Sequence, residues 1–568
     1  MAAVNSLYYG DNLEVLRTHL KDGSVDLIYL DPPFNSKRDY NLLFKSPKGS
    51  SSEAQITAFK DSWTWGEQAE REFDEILHQS NTQVSKLMQT FRGFLDQSDI
   101  MAYLTMMANR LLELHRVLKP TGSLYLHCDP TASHYLKILL DAVFGPQHFK
   151  SEISWRRAAA HNDAKQGRRQ YGNVRDTIYF YTKSSEWVWN WVFTPYAQTY
   201  LENEYRHRSS EGRYFKETDL TANKEGGEVS FGWRVKRKQD SSSRWEADIS
   251  EEYKSPRNGY DYKAVYPYQG RYWAYSQANL VEFARAGKLR HRSTGMPRLV
   301  QFADEMPGVP VQNDWQDIPP ALGNENLGYP TQKPLALLER IVAASSNEGD
   351  VVLDPFCGCG TAVHAAQKLK RKWIGIDITH LAISLIEKRL KDAFRSRCQF
   401  DVHGTPKDLE GARDLAARDK YQFQYWAVSL VEAYPSQNKK KGADGGVDGI
   451  KYYYDVKDTE ARKIVISVKG GKLKADDVRA LNHVREREKA EIALLISLDE
   501  PTAKMKSDAA SAGLYEWQSG KTKSSRIQLL TIEGLLDGSG RAQHPDVVPD
   551  VNFKRARREK SQDEQTLF

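Results

Sequence analysis

The chain has 568 residues, which predicts roughly three or four domains, and its hydrophobic content of 40% is typical of a globular protein. No apolar run reaches the ~18 residues of a membrane-spanning helix, and the start of the chain lacks the basic and apolar segments of a signal peptide, so we expect a cytoplasmic protein without a membrane partner. Four cysteines are too few for a disulfide framework, and a formal net charge of +6 is compatible with a nucleic-acid partner but does not establish one.

The hydrophobic pattern divides the chain into regions that differ in predicted structure. Residues 1 to about 190 and about 326 to 400 alternate strand-like and helical runs, which predicts two parts of an α/β protein. Between them, residues 191 to 325 mix aromatic and basic residues with frequent Gly and Ser, and strands and helices are hard to assign. A separate unit is predicted from 420 to 540, and residues 541 to 568 are predicted to be a disordered tail.

One motif stands where a buried strand opens into a loop. The strand predicted for VDLIYL is followed at once by Asp31, Pro32, Pro33 and Phe34. These residues place an acid, a backbone carbonyl and an aromatic ring side by side at the end of the strand. Taken alone, the motif fits a catalytic site and an ordinary strand-ending turn about equally well.

A glycine-rich turn in the second α/β part predicts a ligand site. One strand ends at Asp354, a loop containing Gly358 and Gly360 turns sharply, and a helix follows, so that backbone amides can approach an anionic group. The next strand ends at Asp377, where a carboxylate can hold the two hydroxyls of a ribose. The pattern indicates a ligand that carries adenosine, with a plain tight turn as the alternative. The two cysteines of the loop have no second Cys or His pair at ligand spacing, so we interpret them as small loop residues rather than metal ligands.

The sequences LDPPFNS, DPFCGCGTA and YPTQKP (residues 329 to 334) together resemble motifs of the amino-DNA methyltransferases that use S-adenosylmethionine. The catalytic motif precedes the cofactor loop, which resembles the β arrangement, in which the two halves of one sheet are permuted. The resemblance covers residues 1 to about 395. It implies an α/β fold with a Rossmann-like, S-adenosylmethionine-dependent methyltransferase sheet and an inserted target-recognition region. The acid at the first motif position favours adenine N6 over cytosine N4.

The resemblance implies a role for each residue of the catalytic motif. The Asp31 carboxylate and the Pro32 carbonyl would accept hydrogen bonds from the exocyclic amine of a base and direct its lone pair at the sulfonium methyl. Proline fixes the backbone there and removes a competing donor, which applies to Pro32 and Pro33. Phe34 would stack on a base swung out of the duplex.

The family's cofactor contacts carry over to further positions. Asp11 resembles the acid near the cofactor adenine, with a helix cap as the alternative. Lys333 stands where the family contacts the methionine part, and a solvated side chain is the alternative. His127 and Asp129 follow another strand and are interpreted as supporting residues, with core packing as the alternative. The implied cofactor-binding set is Asp11, Thr331, Lys333, Asp354, Phe356, Gly358, Gly360 and Asp377.

In this family an insertion such as residues 191 to 325 reads the DNA sequence, and the composition of this one fits that role. A basic run lies beside Trp233, and more basic and aromatic residues follow. The set is Arg234, Lys236, Arg237, Lys238, Arg271, Trp273, Arg290 and Arg292. The alternative is a solvated basic surface on an ordinary β-rich domain.

Residues from about 420 to 515 resemble the Mrr-like restriction endonucleases, a branch of the PD-(D/E)XK fold. Asp448 and Lys469 stand where that family has an acid that binds Mg²⁺ and a lysine that helps to activate water. Ser467 replaces the expected second acid, and Gln424 replaces an acid of the preceding helix. An active or conditionally active nuclease with Mg²⁺ on Asp448, a DNA-binding remnant and an unrelated fold all stay open.

The sequence therefore predicts a site-specific DNA adenine-N6 methyltransferase that binds S-adenosylmethionine and acts on double-stranded DNA, with coupled restriction as an open addition. One alternative is a DNA-binding protein with an inactive methyltransferase scaffold, and another is a cytosine-N4 methyltransferase. A protein-glutamine or RNA methyltransferase is disfavoured by the acid in DPPF and by the long insertion. A homodimer is compatible with the sequence.

Overall fold

The structure is a computed structural model that divides the chain into two compact units. Unit 1 comprises Met1–Asn190 and Gln312–Phe568, and unit 2 comprises Trp191–Val311. Among the described residues, no helix is long and apolar enough to cross a membrane. The described residues are 5–33, 38–45, 51–61, 63–158, 169, 171–223, 231–240, 242–249, 257–323, 325–329, 331–436, 446–455, 461–517, 522–545 and 556–559, with the backbone alone for 38–45 and 51–61.

The first part of unit 1 alternates strands and helices. Its strands are β1 (Asn5–Tyr9), β2 (Val25–Leu30), β3 (Arg38–Lys45), β4 (Ser51–Asp61), β5 (Leu118–Cys128), β6 (Phe149–Arg156) and β7 (Arg175–Thr182). Its helices are α1 (Asn12–His19), α2 (Glu67–Leu77), α3 (Thr82–Leu95), α4 (Asp99–Val117) and α5 (Ser133–Phe144), with a 3₁₀ turn at Pro146–His148.

Unit 2 consists mainly of short strands. The strands are β8 (Phe193–Thr194), β9 (His207–Arg208), β10 (Tyr214–Asp219), β11 (Thr221–Ala222), β12 (Trp233–Lys238), β13 (Glu246–Ala247), β14 (Tyr260–Val265), β15 (Tyr272–Trp273), β16 (Leu289–His291), β17 (Pro297–Phe302) and β18 (Val309–Pro310). The helices are α6 (Gln198–Glu204) and α7 (Gln277–Arg285), with a 3₁₀ turn at Ala303–Glu305. Its core contains Trp233, Val235, Trp273 and Leu280.

The rest of unit 1 follows unit 2 in the sequence. Its strands are β19 (Asp314–Trp315), β20 (Val351–Asp354), β21 (Lys372–Asp377), β22 (Phe400–His403), β23 (Tyr434–Pro435), β24 (Gly449–Tyr453), β25 (Arg462–Lys469), β26 (Ile492–Ser497), β27 (Leu514–Glu516), β28 (Lys523–Ser525) and β29 (Ile527–Thr531). Its helices are α8 (Leu335–Ser345), α9 (Thr361–Lys368), α10 (His380–Phe394), α11 (Leu409–Arg418), α12 (Lys420–Ser429), α13 (Ala475–Arg487), α14 (Ala503–Ala510) and α15 (Ile532–Asp537), with a 3₁₀ turn at Arg395–Arg397.

A nine-stranded sheet forms the centre of unit 1, in the order β19-β6-β7-β5-β2-β20-β21-β1-β22. β7 runs antiparallel to its neighbours β5 and β6, and the other pairings are parallel. β2 is buried along its whole length, as an apolar run covered on both faces should be. The predicted α/β sheet is therefore confirmed, and strands from the two ends of the predicted methyltransferase region alternate within it.

A second sheet of five strands, in the order β23-β24-β25-β26-β29, forms the C-terminal part of unit 1. Alternate residues of β25 enter different cores: Ile464 and Ile466 pack with α12, whereas Val465 packs with α13 and α14. This alternation follows from the two-residue period of a strand. The sheet is thus covered by helices on both faces.

Part of the segment predicted to be a disordered tail is packed. Oε1 of Glu559 is 3.2 Å from Nε2 of His364 on α9, and the Glu559 amide donates to the carbonyl of Ala393 at 3.0 Å. Ala556 packs against an apolar cluster that contains Tyr329. For residues 556–559 the expectation of disorder does not hold, because Glu559 contacts a buried polar partner.

The buried carboxylate of Asp26 joins the two parts of the large sheet. It accepts hydrogen bonds from Nζ of Lys119 at 2.7 and 2.8 Å and from the amide of Val351, at the start of β20, at 2.9 Å. We expect Asp26→Ala to lower the free energy of unfolding by about 1.5 to 3 kcal/mol, the range for hydrogen bonds to a charged group. Urea denaturation measures this loss.

The matched control for Asp26→Ala is Glu67→Ala. This substitution removes an ion pair with Arg71 whose side chains are 81% and 75% exposed. Exposed pairs contribute about 0 to 1 kcal/mol, so this variant should unfold almost as the wild type does. Equal losses in the two variants would contradict the structural role of Asp26.

Candidate active site

The carboxyl ends of four neighbouring parallel strands open onto one cavity of about 570 Å³. An acid stands at or just beyond the end of each strand: Asp11 after β1, Asp377 on β21, Asp354 on β20 and Asp31 after β2. All four line the cavity. Ligands of open α/β sheets bind at this edge, so the structure brings the sequence-predicted acids together where a ligand would be expected.

Asp31 is paired with a lysine that the sequence left ambiguous. Nζ of Lys333 donates to Oδ2 of Asp31, and the Lys333 side chain is 9% exposed. The alternative of a solvated Lys333 is therefore wrong, because the ammonium group is buried against a carboxylate. Among the described residues, the buried Oδ1 of Asp31 has no hydrogen-bond partner. One oxygen of this carboxylate is thus held by Lys333, and the acceptor capacity of the other is unused within the described part of the chain.

The rest of the DPPF motif is partly described. Pro32 is buried, Pro33 is half-buried, and both line the cavity beside Asp31. Phe34 and Pro330 lie outside the described residues, so the predicted role of Phe34 has no structural counterpart here.

A chain of buried polar groups lies beneath the motif. The hydroxyl of Tyr29, on β2, is 3.0 Å from Nδ1 of His127, whose Nε2 is 3.1 Å from Oδ2 of Asp176 on β7. Burial alone would raise the pKa of Asp176, but the hydrogen bond from His127 and the nearby basic groups of His127, Lys333 and Arg157 together outweigh burial, and the pKa is lowered. His127 therefore supports the wall of the cavity from below. Asp129 instead accepts from the amide and hydroxyl of Thr131 and does not line the cavity.

Two glycines of the loop after β20 adopt left-handed backbone conformations. Gly358 has φ +51° and lies against the ring of Tyr329, where a Cβ would come within 3.3 Å of Cε1. Gly360 has φ +76° and begins α9, and a Cβ there would come within 2.8 Å of Cγ1 of Ile386. Glycine is required at both positions because a side chain would be strained and would contact neighbouring groups. The two glycines therefore allow the loop to pack closely against Tyr329 and α10.

Burial changes the pKa of the two acids nearest the loop. Burial raises the pKa of Asp354 well above its usual range, although its Oδ1 accepts from the Phe356 amide at 3.0 Å. Burial also raises the pKa of Asp377 to about 6, against the opposing effect of donors that include the Gly358 amide at 2.9 Å and the Thr379 hydroxyl at 2.9 Å. Asp377 therefore titrates close to neutral pH.

Asp11 combines the two interpretations made from the sequence. Its Oδ1 caps α1 by accepting from the Leu13 amide at 2.8 Å, and the residue also lines the cavity. Its Oδ2 accepts from the buried guanidinium of Arg110 at 2.8 Å, and Nε of Arg110 donates to Oδ1 of Asn12 at 2.6 Å. The sequence analysis missed Arg110, and the only signal was a basic residue in the apolar run of α4.

Two further predicted cofactor residues line the cavity, whereas the predicted Gly360 does not. Thr331 and Phe356 do so from the loops before α8 and after β20. Both cysteines of this loop are buried, and burial raises the pKa of the Cys357 thiol well above its usual range. Among the described residues, no cluster of three His, Cys, Asp or Glu side chains could hold a metal ion. Three further lining residues, Asp419, Gln422 and Tyr425, belong to the C-terminal part and were missed from the sequence.

In unit 2 the predicted basic residues have specific partners. Arg234 pairs with Asp248 at 3.2 Å, Arg237 with Asp261 at 3.0 Å, and Arg290 with Glu217 at 3.6 Å. The remaining partners within this unit are the Lys236–Glu246 pair at 3.8 Å, the hydrogen bond from Arg271 to Thr221 at 2.8 Å, and that from the Arg292 amide to Met296 at 3.0 Å. Lys238 is exposed on β12.

The two tryptophans predicted beside these basic residues are in the core of unit 2. Trp233 is 3% exposed and Trp273 is 1% exposed. Their indole N–H groups donate to Nε2 of His291 and to the carbonyl of Phe231, both at 3.1 Å. These rings are therefore packing residues of the unit rather than surface groups.

The nuclease-like residues of the C-terminal sheet do not form a carboxylate pair. Oδ2 of Asp448 accepts from the Val468 amide at 2.7 Å and from the Ser467 hydroxyl at 3.3 Å. Lys469 pairs instead with Asp477 on α13 at 3.2 Å. Gln424 lies on α12, which packs against the same sheet through Phe423. The structure therefore gives no support for Mg²⁺ on Asp448 among the described residues.

Comparisons with known proteins agree with this arrangement. Residues 25–388 match the model of the N6/N4 DNA methylase family, and residues 422–537 match the model described as NACHT-associated inactive restriction endonuclease 1. The second match confirms the resemblance of this region to restriction endonucleases, and the word inactive in its description agrees with Ser467 at the position of the second acid.

Two relatives and one solved structure illustrate the similarity. The type II methyltransferase M.EcaI of Enterobacter cloacae is 28% identical over 388 residues, which are 68% of this chain and 69% of the relative. The DNA adenine methyltransferase YhdJ of Escherichia coli K12 is 51% identical over 69 residues, 12% of this chain and 24% of that protein. The solved PvuII DNA methyltransferase, described as cytosine-N4-specific, is 12% identical, with coverage of 68% of this chain and 86% of that one and a TM-score of 0.30.

A TM-score of 0.30 is too low to support a shared fold. The family of this chain is shown by the match to the family model, and the strand order and the cavity agree with it. The match covers well over half of the chain and spans Asp31, Lys333, Asp354 and Asp377. The chain therefore belongs to the N6/N4 family of DNA methylases and carries a C-terminal domain related to inactive restriction endonucleases.

Proposed function

We propose that this protein transfers a methyl group from S-adenosylmethionine to N6 of adenine in double-stranded DNA. The observation that carries the proposal is the position of Asp31. Its buried Oδ1 has no hydrogen-bond partner among the described residues, and Asp31 lines the same cavity as Gly358 of the glycine loop after β20. A hydrogen-bond acceptor for an amine and a cradle for a cofactor are thus combined in one cavity.

The residues of the cavity fit S-adenosylmethionine. Gly358 lines the cavity, and the loop packs closely against Tyr329 and Ile386 because positions 358 and 360 are glycines. Asp377 offers a carboxylate for the ribose hydroxyls, and Asp11 with Arg110 lies beyond it at the end of β1. Asp354, Phe356, Thr331 and Lys333 would surround the methionine part. When bound, the cofactor supplies an electrophilic methyl group on a positively charged sulfur.

Asp31 and Pro32 would activate the amine. The amine of adenine is a poor nucleophile because its lone pair is conjugated with the ring. Oδ1 of Asp31 and the carbonyl of Pro32 would accept its two N–H groups and direct the lone pair toward the methyl group. Lys333 holds the other oxygen of Asp31 and so fixes the plane of the carboxylate. Phe34 would stack on the flipped base.

Adenine is favoured over cytosine by the acid at position 31 and by the local similarity to YhdJ, whose name specifies adenine. The matching family model covers both N6 and N4 methylases, so N4 methylation is the competing outcome. Mass spectrometry of nucleosides from DNA treated with the protein separates N6-methyladenine from N4-methylcytosine. N4-methylcytosine alone would overturn the adenine assignment, and no methylated base would favour the inactive scaffold.

Unit 2 would supply the DNA-reading surface. Its basic side chains are partly paired within the unit, and Arg237 lies 4.7 Å from the ring centroid of Trp245. Such pairs can exchange acidic partners for phosphates when DNA binds, because counterions released from DNA favour that exchange. The strands of this unit would thus present Arg234, Arg237 and Lys238 to a duplex.

The first prediction concerns Asp31. We expect Asp31→Ala to lower the rate of DNA methylation by at least about a hundredfold, because loss of one preorganised hydrogen-bonding group in a catalytic site costs about 10² to 10³ in rate. Affinity for S-adenosylmethionine should change little. Tritium transfer to DNA measures the rate, and calorimetry measures the affinity.

Asp129→Ala is the control for this prediction. Asp129 follows the neighbouring strand β5 but does not line the cavity, so its removal should leave methylation unchanged. Thermal denaturation of both variants tests whether the buried Lys333 ammonium, left without its partner, unfolds the Asp31 variant. Equal rates for the two variants would show that Asp31 has no catalytic role.

The second prediction concerns pH. The Asp377 carboxyl has a folded-state pKa raised to about 6, so it becomes protonated as the pH falls from 7.5 to 5 and loses the charge that accepts ribose hydroxyls. At pH 7.5 the wild type should bind S-adenosylmethionine more tightly than Asp377→Asn by about 1.5 to 3 kcal/mol. Calorimetry across this range should show the difference shrinking toward pH 5. A constant difference would contradict the assignment of Asp377.

The third prediction concerns the C-terminal domain, for which we propose no cleavage. Asp448 already accepts a backbone amide and a hydroxyl, and Lys469 is paired with Asp477. We expect no cuts in unmethylated or premethylated plasmid with Mg²⁺ present, as judged by gel electrophoresis. Cuts that need Mg²⁺ and disappear in Lys469→Ala would restore the nuclease hypothesis.

A further inference from the structure

Helix α12 belongs to the nuclease-like domain but has two packed faces. Phe423, Trp426 and Ala427 lie in the core of the C-terminal sheet. Gln422 and Tyr425 line the cavity at the edge of the large sheet, as does Asp419, the residue that caps the helix. A helix that contacts two different partners buries side chains on both sides. This helix therefore connects the C-terminal domain directly to the candidate cofactor site.

The α12 residues lie toward one end of the cavity. The amide of His380, at the start of α10, is 3.5 Å from Oε1 of Gln422. The ring of Tyr9, at the end of β1, stacks on the ring of His380 with centroids 3.6 Å apart. These neighbours belong to the β1 and β21 side, whereas Asp31 follows β2. Because β21 is two strands from β2, the two ends of the cavity are separated by about 10 Å.

The chemistry of this wall suits an adenosine group. A Gln side chain can both donate and accept hydrogen bonds, as the edge of a purine requires. A Tyr ring offers a flat apolar surface for a base. Oδ1 of Asp419 already accepts from the amides of Tyr421 and Gln422, at 2.9 and 3.0 Å, and so fixes the start of the helix next to the cavity. Asp419 is thus a positioning residue, while Gln422 and Tyr425 can touch a ligand.

We infer that Gln422 and Tyr425 of the nuclease-like domain form the adenosine-side wall of the S-adenosylmethionine site. The inference rests on the proposed function, because it assigns further residues to the same cofactor. It gives the C-terminal domain a role that needs no cleavage. The domain completes the binding site of the methyltransferase, and folding of α12 is coupled to cofactor affinity.

The experiment uses two matched pairs of variants in the full chain. Tyr425→Ala is compared with Tyr421→Ala, and Gln422→Ala with Gln424→Ala, because Tyr421 and Gln424 lie on the same helix but do not line the cavity. Calorimetry with S-adenosylmethionine measures the dissociation constant of each variant. We expect the constant to rise about tenfold for each wall variant and to stay near the wild-type value for each control.

Steady-state methylation of DNA provides a second readout. The wall variants should show a higher KM for S-adenosylmethionine and an unchanged kcat, because the wall is remote from Asp31. Thermal denaturation without ligand identifies a variant that fails to fold. If one wall variant does not fold, the other wall variant and its control are used to test the inference.

The outcomes separate the two proposals. Wild-type binding of S-adenosylmethionine together with unchanged affinity in both wall variants would overturn this inference and leave the proposed function standing. Equal weakening in a wall variant and its control would also overturn it, because the helix would then act only through packing. A wild-type protein that does not bind S-adenosylmethionine would overturn both.

Discussion

The parallel pairing of β2 with β20 is the contact on which the site depends. Leu27 pairs with Val352 and Ile28 with Leu353, although these residues come from opposite ends of the methylase region. Because the strands run in the same direction, Asp31 and Asp354 reach one edge of the sheet. At the opposite end of the strands, Asp26 accepts the Val351 amide. A shift of this register would separate Asp31 and the prolines after it from the glycine loop after β20.

Four acids at one edge of a sheet would repel one another if all were charged, and their surroundings differ from one acid to the next. Asp31 and Asp11 each have a buried cation beside them, Lys333 and Arg110. Burial instead raises the pKa values of Asp354 and Asp377, and the neighbouring acids raise that of Asp354 further. The four carboxyl groups therefore differ in their surroundings and in their hydrogen-bond partners.

The C-terminal domain keeps the sheet of a restriction-endonuclease-like fold without a pair of carboxylates at Asp448 among the described residues. Its sheet and core are intact, and Ser467 occupies the position at which a second acid would be needed for a metal. The same domain extends α12 to the cavity of the methylase region. Burial of one helix between two partners ties the domains together.

Local sequence determined the elements and the motifs, whereas the contacts between distant segments were decided by tertiary structure. The buried run before Asp31 and the glycine turn after Asp354 predicted the strand ends and the ligand edge, because hydrophobic period and glycine conformations are local properties. The partner of Lys333 could not be predicted, since a lysine in a loop has no periodic signal. The core position of Trp233 and the contact of α12 with the cavity could not be predicted from the sequence either. Burial depends on which surfaces meet after the chain has folded.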